Sequence, residues 1–112
     1  MRQMGYCPSG RLFEAAACGT PLLSDDWEGL ARFYEPGLEI LVANNGDDTA
    51  AALELPLEAL RQIAIRARER TLDEHTAEHR ARYLEGVLER TFARRTEGEL
   101  SSFAESQAYI GA

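Results

Sequence analysis

Pro8-Ser9-Gly10-Arg11-Leu12-Phe13-Glu14-Ala15-Ala16-Ala17-Cys18-Gly19-Thr20-Pro21-Leu22-Leu23-Ser24-Asp25-Asp26 carries the punctuation of a helix followed by a strand. Ser9 is the kind of residue that caps a helix N-terminus, because its hydroxyl can accept from a backbone N–H left without a partner in the first turn. The alanine run has the strongest helix propensity, and Gly19 then Pro21 supply the stop. Leu22-Leu23-Ser24 is a short apolar run ending in two aspartates, the pattern of a buried strand with an acidic carboxyl end.

Working outward, Trp27, Leu30, Phe33 and Tyr34 fall at helical spacing and predict a second helix, closed by Pro36-Gly37. Glu39 to Ala43 is the best strand of the chain, nearly continuous in apolar residues. Asn44 to Asp48 is a turn cluster that should cap a short helix over residues 49–54. From Pro56 onward only the helical period remains. Leu57, Leu60, Ala64, Ala67 and Thr71 form one face with Ile63 beside it, Asp73 to Thr76 breaks the pattern, and a second long helix carries Tyr83, Leu84, Val87, Leu88 and Phe92. Glu78 and Arg82 make a well-oriented pair there, and Gly86 costs about 1 kcal/mol relative to alanine. The pattern fades after Arg95, so residues 1–95 are expected to hold the structured domain and 96–112 a frayed, flexible tail.

The order α, β, α, β, α, α, α is that of an α/β chain with parallel strands and right-handed helical crossovers. Two parallel strands alone leave two open edges and a half-covered core. The expectation is therefore the end of a doubly wound sheet, followed by two long helices.

Length and charge narrow the classes. A chain of 112 residues is one domain at most, and 45% hydrophobic with 28% charged residues is a globular balance rather than a disordered one. Nineteen acids against twelve bases give a net charge of −7, which disfavours nucleic acid and anionic membrane as partners. The excess is uneven: residues 1–56 hold three Arg against nine acids, residues 57–112 nine against ten. Every base is Arg, whose planar fork suits ion pairs on helix faces. No run approaches a membrane span and no leader pattern opens the chain, so a cytoplasmic location is expected. Cys7 and Cys18 are wrongly spaced for a CxxC pair and are expected reduced, with Cys7 a packed thiol.

Several positions have the chemistry of a site. Ser9-Gly10-Arg11 puts free N–H groups, a glycine that admits a close ligand and an Arg fork at one helix N-terminus, which together suit a phosphate; an ordinary cap with a solvated Arg is the plainer reading. Glu14, one turn further, has a carboxylate that can accept two hydrogen bonds from a ribose diol, or simply favour the helix dipole. Asp25 and Asp26 follow a strand's carboxyl end, where open α/β sheets bind ligands, but also suit a turn or a cap. His75 and His79 are four apart, yet no third ligand is spaced with them, so no metal is expected and exposed histidines at a helix start are the simpler reading.

From Gly5 through the Phe13-Glu14-Ala15-Ala16-Ala17-Cys18-Gly19-Thr20-Pro21 block to Asp25, the sequence resembles the donor-binding core of GT-B glycosyltransferases, and more narrowly the CgeB-like, spore-maturation group. The resemblance continues through Trp27-Glu28-Gly29-Leu30, Phe33-Tyr34-Glu35-Pro36-Gly37, Glu39-Ile40-Leu41-Val42, Arg68-Glu69-Arg70-Thr71 and Glu74-His75-Thr76. It implies a two-domain, Rossmann-like enzyme that moves a sugar from a nucleotide-sugar donor to an acceptor without a metal or other cofactor, this chain being the last part of the donor domain. By the same resemblance Ser9, Gly10 and Arg11 face the donor diphosphate and Glu14 the ribose. The first Glu of the family's E-x7-E pair is replaced by Tyr6. A reading from another class is a non-catalytic module that associates with a second copy through its open strand edges or helices.

Overall fold

A computed structural model describes residues 2–110, in the order α1 (Gly10–Ala17), β1 (Leu23–Ser24), a 3-10 turn (Leu30–Arg32), β2 (Leu41–Val42), α2 (Gly46–Leu53), α3 (Leu57–Glu74) and α4 (Ala77–Ile110). The chain divides into two compact units, one ending at Thr76 and one beginning at Ala77.

In the first unit, α1 begins where the capping residue predicts. Ser9 is extended and its Oγ accepts from the Arg11 N–H at 3.4 Å, a long bond. The other end is a Schellman motif: Gly19 sits at φ +73° and donates to the Ala16 carbonyl, while Thr20 donates to Ala15. The last carbonyl of α1, on Ala17, accepts from Arg68 Nε of α3 at 3.1 Å.

β1 and β2 pair in parallel, Leu23 opposite Leu41 and Ser24 opposite Val42, with Leu41 N–H donating to Leu22 and Ala43 N–H to Ser24, both at 2.9 Å. The predicted strand over 39–43 is shorter because Gly37, at φ +84°, turns the chain and donates to Ile40, and Glu39 donates back to Glu35. Ile40 still makes a single bridge to Pro36. Leu22 and Ser24 are buried and Leu23 is exposed, the alternation of a strand covered well on one face.

The helix expected over residues 27–34 is corrected to the single turn Leu30–Arg32. Gly29 stands at φ +97°, so no right-handed helix runs through it from Trp27. The apolar spacing was nonetheless meaningful: Trp27, Leu30 and Tyr34 are buried and join Leu12, Ala16, Leu22, Ile40 and Ala67 in one core. The Tyr34 hydroxyl donates to Thr71 Oγ1 at 2.8 Å, and Thr71 passes its own proton to the Ala67 carbonyl at 2.7 Å, so neither buried oxygen is orphaned.

α2 starts three residues before the predicted Thr49, since Asn45 is the cap: its Oδ1 accepts from Asp48 N–H, and the Asp48 carboxylate accepts from Asn44 N–H. α3 buries Ile63, Ala64, Ala67 and Thr71 and packs on α1. Leu57, expected on that face, is exposed at the first turn of the helix, and partial burial begins at Ala59 and Leu60.

The second unit is α4, with ion pairs Glu78–Arg82 and Arg95–Glu99 four residues apart. It runs to Ile110, beyond Arg95 where the apolar pattern stops. Tyr83, Leu84, Leu88 and Phe92 are all exposed. Among the described residues no helix is long and apolar enough to cross a membrane.

Candidate functional site

The face of α1 opposite its buried stripe collects the predicted residues. Leu12 and Ala16 point into the core. Gly10, Arg11 and Glu14 therefore lie on the other side, and all three are exposed, with Ser9 half-buried before them. A side chain added at Gly10 would meet open space, so the backbone there is accessible to a ligand. Glu14 stands about 6 Å along the axis from Gly10, and helical side chains lean toward the N-terminus, which brings its carboxylate back toward the first turn, where the Arg11 and Leu12 N–H groups donate to Ser9. Among the described residues neither Arg11 nor Glu14 is engaged in an ion pair. The arrangement offers backbone donors, a positive dipole end and a guanidinium on one side of a carboxylate acceptor.

Next to this end lies a clasp that sequence reasoning missed. Tyr6 adopts φ +48°, donates its N–H to Glu28 O at 2.7 Å and its hydroxyl to Glu28 Oε1 at 3.3 Å. Its ring covers Gly29 so closely that a Cβ there would overlap it, and the Arg32 guanidinium stacks 5.1 Å from the ring centre. The clasp ties the segment leading into α1 to the loop after β1. Trp27-Glu28-Gly29 held a signal for it in the glycine, but nothing local pointed to Tyr6 as the partner.

The aspartates after β1 stand in different surroundings, Asp25 half-buried and Asp26 in water. Ser24 Oγ donates to Asp25, at 2.9 Å to its carbonyl and 3.3 Å to Oδ1, while Asp26 is exposed and the next helical turn is capped by Gly29 instead. Cys7 is exposed rather than packed, and both cysteines are free thiols.

His75 also departs from the expected exposed position. It caps the end of α3 and is half-buried, its Nε2 donating to Phe33 O at 2.9 Å and its ring 5.3–5.8 Å from those of Phe13, Phe33 and Tyr34. That bond fixes the proton on Nε2. His79 belongs to α4. Among the described residues no three His, Cys, Asp or Glu side chains gather as metal ligands.

A polar groove on α3 is lined by Glu39, Arg66, Glu69, Arg70, Asp73 and Glu74, none of them a residue of the α1 entry. Arg70 is its centre, bonded to Glu39 at 3.0 Å, Glu74 at 3.2 Å and the Arg32 carbonyl at 3.3 Å. Burial acts to lower the Arg70 pKa, but the hydrogen bond and charge of Glu39, with Glu74 behind them, outweigh it and hold the guanidinium more firmly charged than usual. Its partners are satisfied within the fold, so the groove reads as a clamp between α3 and the segment before β2.

Comparison with known proteins gives one family. A family model described as glycosyl transferase-like matches residues 1–86. Curated proteins and solved structures yield no match. The matched region takes in α1, both strands and all of α3, and on that extent the chain belongs to the glycosyl transferase-like family.

Proposed function

We propose that this chain is the donor-binding part of a GT-B, Rossmann-like glycosyltransferase of the CgeB-like group, with the N-terminus of α1 as its nucleotide-sugar site. Ser9, Gly10 and Arg11 bind the donor diphosphate, and Glu14 accepts from the ribose hydroxyls. The acceptor, and any catalytic base, belong to other parts of the full-length enzyme. The single observation that supports this reading is the open face of α1, where an accessible glycine backbone, Arg11 and Glu14 stand together, both side chains exposed and outside the ion pairs among the described residues, in a chain of this family.

The chemistry follows from the arrangement. When the glycosidic bond to the donor breaks, negative charge grows on the departing nucleoside diphosphate. The helix dipole and Arg11 support that charge, the role that fixed donors and cations play wherever charge develops in a transition state. Glu14 contributes no charge of the right sign for this step; it orients the nucleoside by its hydrogen bonds.

Calorimetric titration with UDP and other nucleoside diphosphates tests the reading. Arg11→Ala is expected to weaken binding about tenfold, the scale of one charged hydrogen bond. Glu14→Ala should weaken nucleoside diphosphates while leaving inorganic diphosphate unchanged. Equal affinities for the parent chain and both variants would remove the assignment.

A further inference from the structure

The exposed apolar stripe of α4 has a partner written into its flanks. Ala77, Ala81, Leu84, Leu88, Thr91 and Arg95 are spaced alternately four and three residues apart, the seam spacing of a coiled coil. Leu84 and Leu88 at its centre are 57% and 47% exposed, and Phe92 beside them 63%. Such a stripe on a helix of 34 residues is apolar surface that a second helix can bury, and burial of an apolar face supplies most helical stability.

The flanks decide what covers it. Arg80, Val87 and Arg94 run along one side of the seam, Glu85, Phe92 and Glu99 along the other. When two helices pair in parallel and in register, a residue on the first flank meets the residue five positions later on the second flank of its neighbour. That rule sets Arg80 against Glu85, Val87 against Phe92 and Arg94 against Glu99, one apolar match between two opposite charges. Antiparallel pairing brings each flank against its own kind, Arg against Arg and Glu against Glu, which is repulsive. We infer that α4 associates with α4 of a second copy of this chain as a parallel two-stranded coiled coil over residues 77–99.

The seam is short. Beyond its two leucine layers come Thr91, whose hydroxyl bonds the Val87 carbonyl, and Arg95, held by Glu99 at 3.2 Å; Gly98 then ends the pattern. Association is therefore reversible and set by concentration. It is independent of the donor site and uses a surface different from the two-residue strand edges.

Sedimentation of the 112-residue chain from micromolar to millimolar concentration reads the proposal directly. A monomer–dimer equilibrium is expected, weakened at least about tenfold by Leu88→Glu, which places two carboxylates in the seam. Near-ultraviolet dichroism of Trp27, buried in the first unit, verifies that this unit stays folded. Arg94→Glu and Glu99→Arg chains are each expected to associate more weakly than the parent, and a mixture of the two to associate well, since only the mixed pair restores opposite charges on both sides. A chain monomeric at every concentration, a dimer indifferent to Leu88→Glu, or a mixture no better than its components overturns the inference.

Discussion

α3 and α4 are consecutive helices of one chain and reverse the usual relation between side-chain size and burial. α3 hides small residues: Ala64, Ala67 and Thr71 with a single large Ile63. α4 carries Leu84, Leu88 and Phe92 and leaves them in water. The difference lies in what faces each helix. Ala67 and Ala16 are both fully buried where α3 meets α1, and such small residues let two helices approach closely and bury backbone as well as side chain. In the first unit residues of α1, the 3-10 turn, β2 and α3 gather in one core, whereas the Leu84, Leu88 and Phe92 stripe of α4 is exposed.

Three substitutions break or sharpen that contrast. Tyr34→Ala should have the largest effect, about 3–5 kcal/mol by analogy with phenylalanine truncation, because the ring is fully buried and its hydroxyl feeds Thr71. Urea denaturation followed through Trp27 fluorescence measures it, and the loss is a large fraction of what a domain of this size possesses. Gly29→Ala should cost about 1–3 kcal/mol in the same assay, since it forces a side chain into the left-handed region and against the Tyr6 ring. A loss below about 0.5 kcal/mol there would mean that the Tyr6 clasp adds little to the fold. Leu84→Ala, read where the protein is monomeric, should change stability by no more than about 0.5 kcal/mol, as for other exposed positions.

Legibility in the sequence followed the range of the interactions. The bounds of α1 and the break at His75 depend on neighbours within four residues, so Ser9, Gly19 and the stretch 73–76 announced them, whereas the cluster 44–48 announced a cap but placed the start of α2 three residues late. The segment after β1 did not obey its own periodicity. Its conformation is decided at Gly29 by Tyr6, a residue more than twenty positions earlier, and no local propensity encodes that meeting. His75 escaped for the same reason, because its ring and its hydrogen bond are supplied by residues of α1 and of the turn near Phe33. At the candidate site, the pattern that places Leu12 and Ala16 inward placed Glu14 and Arg11 outward, so their common face was readable. The Tyr6 clasp beside them was not.

The Arg68 side chain that closes the end of α1 sits 51 residues downstream of the carbonyl it binds. An eight-residue helix is too short to persist by itself in water. During synthesis at about 5–20 residues per second, roughly 3–10 s therefore separate the emergence of Ala17 from that of the residue that secures it. Until then the Ala17 carbonyl lacks its Arg68 partner, so the helix that carries the Ser9-Gly10-Arg11 entry is closed at its other end only after most of α3 has been synthesised.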